Sequence, residues 1–486
     1  MTAAFTFPGQ GSQAVGMGKA LADAFPAARA VFDEVDAALG EKLTTIIWEG
    51  PAETLQLTEN AQPALMAVSL AALRALEAEK GVNLARDVAF VAGHSLGEYS
   101  ALCAVEAFDI ATTARLLKLR GQAMQAAVPV GEGAMAALLV HGSDTQKKTF
   151  VPKMVAGQWA GTMNLTEPQC GTDLGLMRTK AVKQADGTYK ITGTKIFISA
   201  GEHDLAENII HIVLARLPDA PKGTRGISLF IVPKFMVNQD GSLGARNTVA
   251  CGAIEHKMGI RASATAVLNF DGATGFMIAE PNKGLEAMFT FMNTARIGTA
   301  VQGLAHAELS YQGSLPYAKE RRSMRAVSGK KDADHPNDAL IWHADVRRML
   351  LTQKAIAEGA RAMIYNAAKL ADHMVSGVAT GDQKKYELYD DKLGFFTPIL
   401  KGFITEMGLE CANIGMQVFG GHGYIKEHGM EQIARDARIS TLYEGTTGIQ
   451  ALDLLGRKVL LQTRGKCIFE FTNEMIAQRS EEHTSE

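Results

Sequence analysis

The chain has 486 residues, enough for about three domains with sizeable hydrophobic cores. Hydrophobic residues make up 47% and charged residues 21% of the sequence, which is typical of globular proteins and excludes extended disorder. Lysine and arginine number 49 against 52 aspartate and glutamate residues, so no broad basic surface for nucleic acid or an acidic membrane is expected, and small molecules are the expected partners.

The five cysteines are odd in number and widely spaced, which predicts neither a disulfide framework nor a metal site. Residues 1–7 lack the basic stretch that opens a signal peptide. The longest apolar stretch, residues 61–73, is shorter than the roughly 18 residues that a membrane span needs. The sequence therefore predicts a cytoplasmic protein with no membrane anchor.

Residues 1–139 alternate short β-like runs with helices rich in alanine and leucine. Strands are predicted at residues 4–7 and 88–92, and a helix at residues 60–80. This alternation is typical of a parallel α/β domain.

Residues 161–283 are rich in predicted strands. The first follows the Asp186-Gly187 turn, and the set lies at residues 189–199, 208–217, 226–232 and 264–270. A middle β-sheet or barrel domain is expected.

Residues 284–460 have helical spacing, which predicts an antiparallel helix bundle. Long helices are predicted at residues 285–320, 342–371 and 398–419. The charged, proline-containing stretch 330–338 is predicted to be a loop between two of them. The fold class is therefore multidomain, with an N-terminal α/β fragment, a middle β-domain and a C-terminal helix bundle.

The stretch from Gly93 to Gly97 reads Gly-His-Ser-Leu-Gly and leads into a helix predicted at residues 98–107. A sharp strand-to-helix turn would expose the Ser95 hydroxyl, and the helix N-terminus and the Leu96 amide can stabilise an oxyanion. The same pattern also occurs as a purely structural turn. Two further stretches favour a catalytic role: Gly-Gln-Gly-Ser-Gln at residues 9–13 and Arg-Gly-Gln-Ala-Met-Gln at residues 120–125.

Together these stretches resemble malonyl-CoA:acyl carrier protein transacylase over residues 1–139. The resemblance implies Ser95 as the acylated nucleophile, Arg120 as the clamp for the malonyl carboxylate, and Gln10 with the Leu96 amide as the oxyanion hole. The alternative for Arg120 is an ordinary solvated helix charge. The family's general-base histidine lies beyond this segment, and none of the twelve histidines replaces it, so negligible transacylase activity is predicted.

A second, unrelated set of motifs follows in the rest of the chain. Five motifs occur in one order: Met-Asn-Leu-Thr-Glu-Pro with Gly-Thr-Asp-Leu at 163–174, Lys-Ile-Phe-Ile-Ser-Ala-Gly at 195–201, Arg-Ile-Gly at 296–298, Gln-Val-Phe-Gly-Gly-His-Gly-Tyr at 417–424 and Tyr-Glu-Gly-Thr-Thr at 443–447. Each motif alone is weak, but the ordered set resembles the acyl-CoA dehydrogenases over residues 141–460. Residues 346–354 are most similar to the branch that contains 3-methylmercaptopropionyl-CoA dehydrogenase.

This resemblance implies an acyl-CoA substrate, FAD as cofactor and Glu444 as the general base that removes the α-proton. Helix capping or a solvated carboxylate is the alternative for Glu444, a core position that for Phe197, and a surface ion pair that for Arg296. The implied contacts are Leu165, Thr166, Phe197 and Ser199 to the flavin ring, Arg321, Ser323, Gln417, Gly421 and Thr446 to the diphosphate and adenine, and Thr172 and Arg296 to the acyl-CoA.

Arg321 and Ser323 would be offered to a neighbouring subunit, so the resemblance implies a homo-oligomer. Electron-transfer flavoprotein is a candidate electron acceptor. The Gly-Gly-His-Gly stretch at residues 420–423 lacks a preceding strand, which argues against an NAD site.

The predicted division is an acyltransferase-like part at 1–139, a joint at 140–160, the β-domain at 161–283, the helical domain at 284–460 and an unrelated tail at 461–486. Of the dehydrogenases' N-terminal helical domain only the last turns, at 142–157, are expected. Residues 479–486 resemble a translated sequencing adapter. We therefore expect an incomplete, chimeric dehydrogenase with weak flavin retention and exposed apolar patches, or, as the alternative, a non-functional fusion.

Overall fold

The computed structural model describes residues 4–9, 12–93, 96–126, 133–238 and 240–483. The chain divides into two compact units, Met1–Pro129 and Val130–Glu486. The expected multidomain organisation is confirmed, and the two units are described separately.

The first unit surrounds a small parallel sheet with helices. Among its described residues, β1 (Ala4–Phe7) and β2 (Phe90–Gly93) pair in parallel. The helices are α1 (Lys19–Ala24), α2 (Pro26–Leu39), α3 (Leu43–Glu49), α4 (Ala52–Gln56), α5 (Thr58–Lys80) and α6 (Leu84–Asp87) before β2, and α7 (Leu96–Ala104) and α8 (Ile110–Ala126) after it. The predicted α/β fold is confirmed for this unit.

The core of the first unit lies around α5. Leu70 of this helix and Phe32 of α2 are fully buried. By contrast, the Phe90 side chain of β2 is 70% exposed. Parallel strands are ordinarily covered on both faces, so β2 leaves apolar surface in solvent.

The second unit begins with two helices, α9 (Gly133–His141) and α10 (Asp144–Val155). His141 Nε2 lies 2.7 Å from Thr290 Oγ1, and Gln146 of α10 donates a hydrogen bond to the Met277 carbonyl. Helix α10 begins with a capping box formed by Ser143 and Gln146. Both helices therefore belong to the second unit.

A seven-stranded sheet forms the middle of the second unit. Its order is β3-β6-β7-β11-β5-β4, with β10 on β11, and the β3–β6 pair is parallel whereas the others are antiparallel. The strands are β3 (Trp159–Asn164), β4 (Lys180–Lys183), β5 (Tyr189–Ser199), β6 (Asn208–Ala215), β7 (Ser228–Pro233), the separate pair β8 (Phe235–Val237) and β9 (Leu243–Arg246), β10 (Val249–Ile254) and β11 (Thr265–Ile278). The middle domain is thus a β-sheet, one of the two predicted forms, and its strands are of mixed direction.

Three long helices pack together after the sheet: α11 (Gly284–Glu320), α12 (Ala344–Thr380) and α13 (Gln383–Phe419). The buried hydrogen bond between Ser310 and Gln353 and the stacking of His373 on Tyr389 fit a middle helix that runs antiparallel to the other two. The predicted helix bundle is confirmed. The later elements are α14 (Gly421–Tyr424), α15 (Met430–Ala437), α16 (Thr447–Leu452), a π-helix (Asp453–Gln462) and α17 (Lys466–His483).

No helix within the described ranges is both long enough and apolar enough to cross a membrane. All five cysteines are free thiols. The described residues contain no cluster of three or more side chains suited to hold a metal ion.

Candidate functional site

A buried ion pair supports the loop that follows β3. Lys195 Nζ lies 2.9 Å from Glu167 Oε1, and the two side chains are 0% and 3% exposed. The same ammonium donates to the Leu165 carbonyl at 3.0 Å. Glu167 also accepts hydrogen bonds from the Arg178 and Thr179 backbone amides. The Leu165 backbone is therefore fixed from behind by a buried charge.

Burial alone would raise the pKa of Glu167, but the Lys195 ammonium and the hydrogen bonds from Thr179 and Arg178 lower it to about 2. The carboxylate is thus ionised throughout the neutral range. A charged pair this deep requires nearly complete hydrogen bonding to be tolerated, and the donors around Glu167 provide it.

Next to this loop, β5 carries a bulge that exposes Phe197. The Ile196 amide donates to the Thr166 carbonyl at 3.0 Å, and the pairing with β11 slips between Lys195 and Ile198. Phe197 has a φ of 59° and is 61% exposed. A bulge re-aims a side chain out of a sheet, so the aromatic ring is presented at the surface rather than packed in the core.

Ser199 ends β5 opposite Thr265, two residues beyond the bulge at Phe197, and its side chain is exposed. Thr172 lies exposed in the turn after the buried Cys170. Hydrogen bonds from the Lys195 side chain to Leu165 and from the Ile196 amide to Thr166 thus hold the loop after β3 beside the Phe197 bulge. Thr172 lies further along the same loop.

Glu444 lies in a strained turn. Its φ is 54°, and that of Gly445 is 89°. A non-glycine residue in this region costs about 1–3 kcal/mol and persists only where the surroundings hold it. Gln450 Nε2 donates to both the Glu444 and Gly445 carbonyls at 3.1 Å, and Lys401 Nζ donates to the Gly445 carbonyl at 2.5 Å.

Burial raises the pKa of the Glu444 carboxyl, and the positive charges of Arg296 and Lys401 oppose the rise. The preceding Tyr443 hydroxyl donates to Gln302 of α11. A carboxylate with a raised pKa in a held turn is suited to accept a proton.

Arg296 is buried and bound to Asp453 Oδ2 at 2.8 Å. The interpretation of an isolated surface ion pair does not fit, because the two side chains are only 5% and 9% exposed. Arg296 Nε has no hydrogen-bond partner among the described residues. The guanidinium therefore keeps an unused donor close to Glu444.

Arg321 and Ser323 lie in the segment after α11, and backbone hydrogen bonds join the two ends of this segment. The Ser323 amide donates to the Asp338 carbonyl, and the Leu340 amide to the Arg321 carbonyl. The Asp338 carboxylate is fully buried and accepts bonds from the Ala326 amide at 2.9 Å and the Arg325 guanidinium at 3.1 Å. The predicted loop at 330–338 is thus an ordered segment built on Asp338.

Gln417 and Gly421 lie exposed where α13 ends and α14 begins. The ring of Tyr317, near the end of α11, stacks on Phe419 with centroids 3.9 Å apart, and its hydroxyl lies 2.8 Å from His422 Nδ1. This contact brings the ends of α11 and α13 together. A helix, not a strand, precedes the glycines, in agreement with the argument against an NAD loop.

Thr446 caps α16, since its hydroxyl accepts a bond from the Ile449 amide. The expected site residues of the second unit therefore form three groups: the loop after β3 with the β5 bulge, the Glu444 turn with Arg296 and Thr446, and the helix ends with Arg321 and Gly421.

The predicted site residues did not include Lys195, Asp338, Lys401 or Gln450. Because lysine is rarely buried, the residue type alone does not indicate that Lys195 or Lys401 lies in the interior. Only the position of Lys195 at the start of a quoted motif could have drawn attention to it.

In the first unit, the strand-to-helix corner is tight. A Cβ on Gly93 would lie 1.9 Å from the Gly97 carbonyl carbon, and one on Gly97 would lie 2.3 Å from the Phe7 carbonyl oxygen. Leu96 is fully buried at the start of α7. Only glycine fits at these two positions, because a side chain at either one would overlap the neighbouring backbone. Ser95 and Gln10 lie outside the described residues.

Arg120 lies in α8. Its guanidinium donates to Gln62 Oε1 at 2.6 Å and lies 5.8 Å from the centroid of the Tyr99 ring. Because Gln62 is fully buried, this arginine is directed toward the helices of its own unit.

Three family profiles match the chain. The acyl transferase domain matches residues 4–163, the acyl-CoA dehydrogenase middle domain residues 162–273 and the acyl-CoA dehydrogenase C-terminal domain residues 282–460. The two dehydrogenase matches together cover more than half of the chain.

Two relatives of similar sequence are also acyl-CoA dehydrogenases. The chain is 50% identical over 348 residues to 3-methylmercaptopropionyl-CoA dehydrogenase of Ruegeria pomeroyi, which covers 71% of this chain and 57% of that protein. It is 32% identical to the short-chain specific acyl-CoA dehydrogenase of Clostridium acetobutylicum, over 65% of this chain and 73% of that one. The chain thus spans little more than half the length of its Ruegeria relative.

Among solved structures, the butyryl-CoA dehydrogenase of Megasphaera elsdenii matches with a TM-score of 0.53 and 25% identity, over 89% of this chain and 98% of that chain. The fold, the ordered motifs and the relatives agree. The chain belongs to the acyl-CoA dehydrogenase family, with an acyl transferase match at its N-terminus.

Proposed function

We propose that the second unit carries the α,β-dehydrogenation chemistry of an FAD-dependent acyl-CoA dehydrogenase, with Glu444 as the general base. The observation that carries the proposal is the Glu444 turn, in which a carboxyl of raised pKa is held at a φ of 54° beside the buried Arg296. Functional sites are where such strain and such shifts concentrate.

In the proposed reaction the Glu444 carboxylate takes the α-proton of the acyl thioester. Its own backbone N–H would donate to the thioester carbonyl, which acidifies the α-carbon. Arg296 would face the acyl-CoA with the Nε that no described residue uses. Glu444 must be ionised to accept the proton. The positive charges of Arg296 and Lys401 favour the ionised form and therefore support this role.

The residues present fit FAD. Phe197 offers an exposed aromatic face on a strained backbone, as a flat ring system requires. Leu165 and Thr166 are hydrogen-bonded to the neighbouring residues of β5, and Ser199 ends that strand. Acyl-CoA dehydrogenases are flavoproteins, and the flavin, when bound, accepts the β-hydride. Thr446, Gln417, Gly421, Arg321 and Ser323 would contact its diphosphate and adenine, the last two across a subunit boundary.

The test uses the full chain loaded with FAD. An acyl-CoA added without oxygen should bleach the flavin absorbance, and Glu444→Gln should abolish bleaching while the substrate still binds. Glu427→Gln is the matched control, because this exposed carboxylate lies outside the turn. Equal bleaching rates in Glu444→Gln and the unchanged chain would refute the assignment.

We further propose a 3-methylmercaptopropionyl-CoA-like substrate, supported by the 50% identity to the Ruegeria pomeroyi enzyme. An electron-transfer flavoprotein is the proposed acceptor, since a relative 30% identical is a subunit of the caffeyl-CoA reductase-Etf complex of Acetobacterium woodii. Reduction of added electron-transfer flavoprotein, compared across acyl-CoA chain types, tests both.

A second candidate function, malonyl transfer by the first unit, is supported by the tight corner at Gly93 and Gly97 and by the placement of Arg120. Without a general-base histidine we expect negligible transfer. Malonyl transfer by the purified chain that Ser95→Ala abolishes would show the opposite.

We infer that the chain joins parts of two enzymes, because the motifs of the two families change near residue 140 and each set is incomplete. Fusion normally joins complete domains. Amplification across codons 130–150 from source DNA, with control products on either side, tests the joint. If only the controls appear, the fusion does not exist in the source.

A further inference from the structure

Lys401 of α13 is a lysine with no exposed surface, beside the turn that holds Glu444. Its ammonium donates to the Gly445 carbonyl at 2.5 Å. An ammonium group loses its hydration when buried, which is costly unless charges and hydrogen bonds around it compensate. A polar side chain of the same length would pack here without that cost, so the charge itself requires an explanation.

Two buried side chains, Gln450 and Lys401, hold the Glu444 turn. Gln450 binds the Glu444 and Gly445 carbonyls, and Lys401 binds the Gly445 carbonyl from α13. Both turn residues have positive φ. These three hydrogen bonds therefore keep the Glu444 backbone in a conformation that it would otherwise leave.

The positive charges that act on Glu444 come from two helices packed against the turn, α11 with Arg296 and α13 with Lys401. Arg296 of α11 has the larger effect on the Glu444 carboxyl, and its partner Asp453 of the π-helix is also bound to Arg457. Lys401 is under the influence of Glu444, Arg296 and Glu406. The carboxylate of Glu406 accepts a hydrogen bond from the Thr447 hydroxyl. Lys401 thus adds a second positive charge that acts on Glu444.

We propose that Lys401 is a positioning residue for Glu444: its hydrogen bond to Gly445 fixes the turn, and its positive charge favours the ionised form of the carboxyl. The role of Glu444 as base rests on the proposed function. The coupling between the two charges is a property of this chain that exists with or without turnover.

The alkaline behaviour follows from the same contact. Burial lowers the pKa of Lys401 to about 8, against the opposing effect of Glu444. Lys401 is thus charged at neutral pH and loses its charge in mild alkali. Above that pH, the carboxylate loses a favourable partner and the turn loses its charged donor.

The experiment follows the Glu444 carboxyl by infrared difference spectroscopy through a pH titration of the full chain, with Glu444→Gln identifying its band. Lys401→Met should raise the titration midpoint by about one unit or more, because an opposite charge nearby lowers a carboxyl pKa by about 1–3 units. Lys401→Arg should restore it in part. Lys384→Met, an exposed lysine of the same helix, should leave it unchanged. An unchanged midpoint in Lys401→Met overturns the proposal.

A second measurement applies if Lys401→Met does not fold. A lysine whose folded pKa is about 8 binds fewer protons in the folded than in the unfolded chain, so the free energy of unfolding rises between about pH 8 and the ordinary value of 10.5. Coupling is reciprocal, so in Glu444→Gln this rise should begin at lower pH. Parallel curves for the two proteins overturn the proposal. Neither measurement uses turnover, so failure of the dehydrogenase assignment leaves both readable.

Discussion

Lys195 and Glu167 form an ion pair at 2.9 Å in which neither side chain is more than 3% exposed. The pair lies directly behind the Leu165 carbonyl, which shares the same ammonium. The Leu165 backbone, which is expected to face the flavin, is therefore held in place by a buried ion pair.

Replacement of Lys195 by Met should destabilise the sheet. Breaking a buried pair leaves an uncompensated charge and costs about 3–5 kcal/mol. The change should also free the Leu165 loop and reduce the amount of FAD that copurifies. Hydrogen exchange of β5 amides and the flavin-to-protein ratio measure the two effects.

Lys190→Met is the control for this prediction, because Lys190 lies exposed on the same strand. The double variant Lys195→Met with Glu167→Gln should recover part of the lost stability, since it removes the unpaired charge. If the two single lysine variants exchange at equal rates, the buried pair does not stabilise the sheet.

Acid should weaken the second unit in a defined window. Since the folded pKa of Glu167 is about 2 against an ordinary value of 4.5, its contribution is fully present above about pH 4.5 and is lost as pH falls toward 2. The measurement is urea unfolding between pH 2 and 6, followed by the fluorescence of the buried Trp159 with Trp48 and Trp342 replaced by Phe.

Glu167→Gln in the same background does not titrate there, so its free energy of unfolding should fall less over this window. Two curves that remain parallel from pH 6 to 2 would show that the Glu167 carboxylate does not supply the acid sensitivity.

Asp338→Asn should open the segment that carries Arg321 and Ser323. The buried carboxylate accepts bonds from the Ala326, Lys331 and Asp332 amides, which hold the pKa of Asp338 well below its usual range. An amide in its place directs N–H groups at N–H donors and leaves buried groups unsatisfied.

Hydrogen exchange of the segment should rise in Asp338→Asn, and FAD should dissociate more readily if Arg321 and Ser323 contact it. Asp334→Asn serves as the control, because Asp334 is exposed in the same loop. Equal exchange in both variants would mean that the carboxylate does not organise the segment.

The hydrophobic pattern of the sequence predicted which helices and strands exist better than it predicted where they begin and end. The strand at residues 189–199 matches β5, whereas β11 continues to Ile278 beyond the predicted end at 270. The Asp271-Gly272 pair looks like a turn, but Gly272 forms a bulge with a φ of 64° and the strand continues. Similarly, α13 contains Pro398 in its interior rather than starting there.

The sequence located the motifs of the candidate site but not the charges that support them. Glu444 stands in a recognisable motif, whereas Lys401 and Gln450 reach it from elsewhere in the chain. A buried lysine is indistinguishable in sequence from a surface one, because its burial is decided by long-range packing. The position of such supports requires the tertiary structure.

The close contact between Gly303 and Gly408 aligns α11 with α13. A Cβ on Gly408 would lie 2.3 Å from the Gly303 carbonyl oxygen, so Gly408→Ala must push apart the helices that carry Arg296 and Lys401. Overpacking of this kind costs about 1–3 kcal/mol. Gly359→Ala, at an exposed position of α12 where a Cβ meets nothing within 4 Å, should instead stabilise its helix by about 0.5–1 kcal/mol. Hydrogen exchange of α11 and α13 peptides should therefore rise in the first variant and not in the second. Equal protection in both would show that the helices do not depend on the glycine contact, and the alignment of Lys401 with the Glu444 turn would then need another cause.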